Sequence, residues 1–254
     1  MPVLTPEQQQ KVQAFIATKW DAEVVPLMSE YIKIPNQSPH FDPEYATNGL
    51  QEQAMRLLVD WAKKQPLKGM TQELFEEKGK TPFYLMEIQA FDGAASVAAV
   101  AGEKTLLMYG HMDKQPPMEP WAEGLGPYTP VLKGEKLYGR GGADDGYAIC
   151  ASVLTVLALQ EFGIPHGRTS IIVEGCEESG SYELPEWVSK VKDRLGNVDL
   201  VVCLDSGAVS YDRIWMTTSL RGVAIVNLSV STMLEAQHSG IAGGVCPDTF
   251  RVAR

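Results

Sequence analysis

Ionisable side chains gather in this chain where apolar runs end. TLLMYG at 105–110 leads straight into His111-Met112-Asp113, TSIIVEGC at 169–176 into Glu177-Glu178, and DLVVCL at 199–204 into Asp205. A fourth acidic pair, Asp144-Asp145, closes the glycine-rich GRGGADDG at 139–146, just before a long apolar stretch. Open α/β sheets form their sites just beyond the carboxyl ends of strands, so these four segments converge on one crevice if their strands share a sheet. Each has a plainer reading alone. His111 fits a hydrogen-bonded core histidine, Asp144 a helix N-cap, the two glutamates solvated loop acids, and Asp205 before Ser206-Gly207 a turn. Together the plain readings weaken, because crowded carboxylates repel one another unless a cation neutralises them.

One imidazole among several carboxylates suits zinc, manganese or cobalt better than calcium, which takes oxygen ligands only. No EF-hand spacing is present. A metal-bound histidine usually donates its other ring N–H to a carboxylate, and Asp113 stands two residues from His111 for that purpose. An aspartate can bridge two cations with its two oxygens, and Asp144 is the candidate. Adjacent Glu177 and Glu178 fit a division of labour, one holding metal and the other taking a proton from water.

The elements that must position these groups are legible in the hydrophobic pattern. Residues 6–35 read as helix, with Thr5 as cap and Pro6 at the first helical position, and 49–64 as a second amphipathic helix. Strand-like runs fall at 83–89, 95–100, 105–110, 169–175, 199–204 and 213–218. YAICASVLTVLALQ at 147–160 is apolar almost all round and reads as a buried helix. LPEWVSKVKDRL at 184–195 reads as another helix. Apolar strands alternating with helices predict an α/β fold, a mostly parallel twisted sheet with helices on both faces. SLRG at 219–222 is a natural junction, so the expected domains are 1–220 and 221–254.

Composition narrows the function classes. Hydrophobic residues make up 44% and charged residues 21% of the 254, enough for a real core. The net charge of -10 argues against nucleic acid, whose phosphates need clustered Lys and Arg. The first ten residues have no basic start or apolar run of a secretory signal, and no stretch reads as a bilayer span. The four cysteines lack CxxC spacing, so neither a structural zinc site nor a disulfide framework is indicated, and a cytoplasmic protein is expected.

Six segments in order, YGHMDKQPP (109–117), YGRGGADDG (138–146), EGCEESGS (174–181), CLDSGA (203–208), LRG (220–222) and HSGIAGG (238–244), resemble the dizinc metallopeptidase family. That family comprises aminoacylases, carnosinase-type dipeptidases, glutamate carboxypeptidases and succinyl-diaminopimelate desuccinylases. The resemblance implies a zinc-exopeptidase-like catalytic domain followed by the start of an α+β lid and dimerisation domain. It implies that His111 and Asp205 hold one metal, Glu178 helps hold the other and Asp144 bridges both, with a cis peptide bond after Asp144. Asp113 would orient His111, and Glu177 would be the general base and later the acid. His238 would reach the partner subunit's site and stabilise an oxyanion. Two divalent ions are implied, zinc first, with manganese or cobalt as alternatives.

The implied activity is hydrolysis of an amide bond in a small substrate, a dipeptide first. The alternatives are an N-acyl amino acid deacylase or desuccinylase, or a fragment that only binds metal. Chains of the family are longer; their lid is an insertion, after which the catalytic domain resumes and supplies a final histidine ligand and an arginine for the substrate carboxylate. Here His40 and His166 are the unassigned histidines, and neither sits in a matching context. A homodimer through the lid and a missing C-terminal half that completes the site are therefore expected, with no nucleic acid and no membrane.

Overall fold

The computed structural model describes residues 4–93 and 104–254; the expected strand at 95–100 lies outside them. The chain divides into two compact units, Met1–Ser206 and Gly207–Arg254.

Helix α1 (Pro6–Lys19) starts as its sequence requires. The Thr5 hydroxyl accepts the Gln8 N–H, and the Gln8 side chain accepts the Thr5 N–H. Two orphan donors are thus satisfied reciprocally, which stabilises the end by about 1 kcal/mol. The single helix expected over 6–35 is broken: a π-helical turn at Trp20–Val24 leads into α2 (Val25–Ile32). Pro26 lies at the start of α2, where its missing N–H would otherwise interrupt the ladder of one continuous α-helix. Helix α3 (Leu50–Lys63) buries Ala54, Met55, Leu58, Val59 and Ala62, the apolar stripe at helical spacing.

Strands β1 (Met70–Phe75), β2 (Phe83–Ile88), β3 (Leu106–His111), β6 (Thr169–Glu174) and β7 (Leu200–Cys203) form one sheet in the order β1-β2-β6-β3-β7. Strand β3 is parallel to both β6 and β7, whereas β2 is antiparallel to β6 and to β1. The sheet is therefore mixed, with its parallel part holding the site. A separate hairpin, β4 (Val131–Lys133) with β5 (Lys136–Tyr138), interrupts the loop before the glycine-rich segment.

Both faces of the sheet are covered. Tyr84, Met86, Ile88, Met108, Ile171 and Val173 pack with α2, α3 and α4 (Ala148–Glu161). Phe83, Leu85 and Ile172 point the other way, onto Trp187, Val191 and Leu195 of α5 (Leu184–Leu195). The alternation along β2 and β6 is the period-two signature of a strand buried on both sides. Trp187 stacks on Phe83 at 5.7 Å between centroids, which adds about 0.5–1.5 kcal/mol to its burial.

The stretch Gly142–Glu161 is long and apolar enough to cross a membrane, where no such stretch was expected. Its residues Ile149, Cys150, Val153, Leu154, Val156 and Leu157 are core, packed among α2, α3 and the sheet, which is why the helix is apolar all round.

In the second unit, the strand expected at 213–218 does not form; residues 214–230 belong to no helix or strand. Two short helices follow, α6 (Ser239–Ala242) and α7 (Thr249–Ala253).

Candidate metal centre

Parallel pairing sets His111 opposite Glu174 and Tyr109 opposite Cys203, so β3, β6 and β7 end together. The residues just beyond those ends are the predicted ones. His111 is buried, and its Nε2 lies 3.2 Å from Asp144 Oδ1, 3.7 Å from Asp205 Oδ2 and 3.8 Å from Glu177 Oε2. No hydrogen bond satisfies that nitrogen, despite the three nearby carboxylates. Two triads, His111–Asp144–Asp205 and His111–Glu177–Glu178, each bring one donor atom per residue within 4.8 Å of the others.

Asp144 reaches this place through the turn Gly142–Gly146, in which Asp144 (φ -138°, ψ 94°) and Asp145 depart from helical angles. The peptide bond between them is cis. The turn seats α4 against the end of β3, and Gly110 is what permits the approach. A Cβ there would stand 2.5 Å from Ala148 Cβ and 3.1 Å from Asp145 Oδ2.

Asp113 is fully buried beside His111. The His111 ring Nδ1 is 3.1 Å from the Asp113 backbone carbonyl and 3.4 Å from its Oδ1. The Asp113 carboxylate is engaged elsewhere: Oδ1 accepts the Glu177 N–H and Oδ2 the Glu178 N–H, each at 3.1 Å. It thereby ties the short turn Glu177–Ser179 to the end of β3. Glu178 also accepts a hydrogen bond from the Gln115 amide through Oε2, while its Oε1 is buried without a partner.

The charges of the cluster are strained against one another. Burial depresses the His111 imidazolium, but the Asp113, Asp144 and Asp145 carboxylates outweigh burial and push its pKa up to about 12. The imidazole beside Asp144 in turn holds that carboxyl below its usual range. Burial pushes Glu178 up to about 7, with neighbouring Asp144 adding to it, and raises Glu177 and Asp205 in the same direction. The donors fit a divalent cation better than they fit each other. The His111 Nε2 is unpartnered, the Glu178 Oε1 is buried and unpaired, and Glu177, Glu178 and Asp205 resist ionising.

Asp145 is the residue that sequence reasoning passed over. It is fully buried, its Oδ2 accepts the His111 backbone N–H at 3.3 Å, and its Oδ1 has no partner. Burial pushes its pKa up to about 8. Nothing in the pair Asp144-Asp145 says which member turns inward; only the backbone of the turn decides it.

Within the first unit, His166, His40 and Trp121 make their contacts outside this cluster. His166 bridges Phe91 just before β6, and its ring meets the Gly167 carbonyl and the Gln160 amide, as a turn residue would. His40 is exposed and stacks on Tyr182 at 5.9 Å. Trp121 donates to the Pro117 carbonyl at 2.7 Å and carries the Arg140 guanidinium 5.8 Å over its ring, which anchors the 114–121 loop. His238 belongs to the second unit, where it is exposed and caps α6, its Nδ1 accepting the Gly240 N–H at 3.0 Å.

Residues 107–230 match the profile of Peptidase family M20/M25/M40. The Beta-Ala-His dipeptidase of Mus musculus is 34% identical over 145 residues, 56% of this chain and 29% of that protein. The Cysteinylglycine-S-conjugate dipeptidase of Corynebacterium striatum is 28% identical over 216 residues, 85% of this chain and 44% of that protein. The crystal structure of human carnosine dipeptidase 1 superposes with a TM-score of 0.61 at 26% identity, covering 79% of this chain and 42% of that one. The chain thus spans less than half the length of each of these three. With its profile match lying across the strand ends that carry His111, Asp144, Glu177, Glu178 and Asp205, the chain carries a domain of peptidase family M20/M25/M40.

Proposed function

We propose that this chain holds the metal-binding part of a two-metal dipeptidase, with His111, Asp144, Glu178 and Asp205 as ligands and Glu177 as general base. The observation that carries the reading is the convergence of three carboxylates within 3.8 Å of one unpartnered imidazole nitrogen. Zinc is the proposed metal, and His111, Asp144, Glu178 and Asp205 would hold two ions per site. Bound there, the ions supply Lewis acidity to a hydrolytic water and to the scissile carbonyl.

The chain's own residues do the rest. His111 and Asp205 would hold one ion and Glu178 would help hold the other, with Asp144 a ligand for each. Asp113 holds Glu177 and Glu178 by their backbone N–H groups, so the base and a ligand move as one piece. The raised carboxyl of Glu177 suits a group that takes a proton from the attacking water and returns it to the leaving amine. His238 is assigned stabilisation of the developing oxyanion, from a partner subunit, on the resemblance alone.

Dipeptides are proposed as substrates because the mouse and corynebacterial relatives are both named as dipeptidases. The test is elemental analysis after zinc loading, paired with a dipeptide screen. Two transition-metal equivalents with dipeptide turnover support the reading. No metal uptake overturns it.

A further inference from the structure

A lysine next to the centre occupies a place that lysines rarely take. Lys114 follows Asp113 directly, and its side chain is fully buried. Lysine is almost never fully buried without a partner, and here the partners are not carboxylates. The ammonium donates to the Tyr31 carbonyl at 2.7 Å and the Ile34 carbonyl at 2.6 Å, and sits 3.9 Å from the centroid of the Tyr31 ring. Those carbonyls belong to the C-terminal turn of α2 and the residues just past it, where backbone acceptors have no helical partner and a cation is favoured. Burial without a countercharge pulls the amine down to about 7.

The same residue touches two of the chain segments that carry the centre. Its backbone continues the segment bearing His111 and Asp113, and is zipped to residues 36–38: the Lys114 N–H donates to Asn36 O at 3.2 Å, and the Ser38 N–H to Lys114 O at 2.9 Å. Its aliphatic stem lies under the glycine-rich turn. A Cβ on Gly141, whose φ is +85°, would stand within 2.5–2.9 Å of Lys114 Cε, Cγ and Cδ. The turn's next contacts are with the same end of α2: Gly142 faces Ile32, and Gly146 lies against the Tyr31 ring. The Tyr31 hydroxyl donates back to the Met112 carbonyl, which the Asn36 amide also reaches at 2.8 Å. The end of α2, the His111 segment and the Asp144 turn therefore meet on one side chain.

We propose that Lys114 is a positioning residue of the metal centre: by clamping the end of α2 and supporting Gly141, it sets the Asp144 turn at ligand distance from His111. The inference rests on the metal-centre reading. It assigns Lys114 no contact with substrate or metal.

The experiment is a titration of the metal-free full chain with zinc chloride, followed calorimetrically, alongside thermal unfolding of the same samples. Three variants are compared with the parent. Lys114→Met keeps the stem and removes the ammonium. Lys114→Arg keeps a cationic donor. Leu157→Ala opens a cavity in the same core, away from the centre. Lys114→Met is expected to weaken zinc binding by about tenfold or more, the scale of a lost partner to a ligand-bearing group. Lys114→Arg recovers most of the loss, and Leu157→Ala lowers the unfolding temperature without changing affinity. Unchanged affinity in Lys114→Met, or a loss matched by Leu157→Ala at equal destabilisation, overturns the proposal alone. A parent protein that takes up no zinc overturns the metal-centre reading and this inference with it. If Lys114→Met does not fold, Lys114→Gln, which keeps one amide donor, carries the same comparison.

Discussion

The carboxylate of Asp113 accepts the backbone N–H of Glu177 at 3.1 Å, and this bond fixes where the proposed base stands relative to His111. Its second oxygen does the same for Glu178. Asp113→Asn replaces one acceptor by a donor facing an N–H, at a fully buried position. The expected cost is about 1–3 kcal/mol of stability, with metal affinity falling about 10–100-fold. Denaturant unfolding and zinc titration of the variant measure the two losses.

Glu177→Gln keeps size and removes the basic oxygen. Turnover of any dipeptide substrate is expected to fall by about 10²–10⁴-fold, while the metal content stays at the parent value. Steady-state kinetics together with elemental analysis separate the two. Turnover that survives the substitution sinks the assignment of the base.

His111→Ala removes the only imidazole of the described cluster, whose nitrogen belongs to both ligand triads. Metal content is expected to fall at the position His111 shares with Asp205, leaving about one equivalent at the position of Glu178. Asp205→Asn weakens the same position and should likewise leave one equivalent behind, whereas Asp144→Asn should lower both. Elemental analysis after dialysis against a weak chelator distinguishes these outcomes.

The metal-free protein should lose stability as pH rises. Burial raises Asp145 to about 8 and Glu178 to about 7 in the folded state, against roughly 4 for exposed carboxyls. Between those values the unfolded chain has released protons that the folded chain still holds, so the slope of unfolding free energy with pH is negative. His111, raised to about 12, adds in the same direction, since its contribution is whole below about 6.5 and is lost as pH climbs through the folded value. Unfolding temperatures of chelator-treated protein are expected to decline from about pH 4 to pH 8. Lowered Asp144 works the other way below that window, and Lys114, held down to about 7, works the other way above about pH 7, against the larger combined effect of Asp145 and His111.

Saturating zinc should cancel that decline. Binding to the folded state alone stabilises by about 2.7 kcal/mol at a free concentration one hundred times the dissociation constant. The gain should grow with pH, because the ligands must be deprotonated to bind. A zinc-induced rise in unfolding temperature that is larger at pH 8 than at pH 5.5 is the expected result.

Much of the centre was legible because its ligands follow strands with strong, continuous apolar runs. LLMYG, SIIVE and LVVC leave little doubt about β3, β6 and β7, and the residue after each run falls at the sheet's carboxyl edge. Strand β1, MTQELF, was missed because it is an edge strand with polar residues on its exposed positions, a pattern too short to distinguish from a loop. RIWMTT at 213–218 has the residue types of a strand, yet among the described residues it joins no sheet ladder, and cross-strand packing rather than propensity makes a strand. Lys114 and Asp145 were invisible for a different reason. A lysine in a proline-rich loop reads as solvated, and one aspartate of a pair reads like the other. Their burial comes from Gly141 and the Gly142–Gly146 turn bringing distant segments into contact, which no local pattern records.

The order of the sheet has a consequence for how the protein comes to hold its metal. His111 and Asp205 meet only because β3 sits between β6 and β7, with the β4–β5 hairpin, α4, β6 and α5 intervening in the chain before β7. No short stretch contains a full chelate, so the unfolded polypeptide offers an ion little purchase. The loops that separate the ligands must be closed first, and their closure entropy is met by the parallel pairing of strands. Metal then arrives as a latch on a finished sheet rather than as a seed for it, and its uptake during refolding would report the moment at which β7 docks.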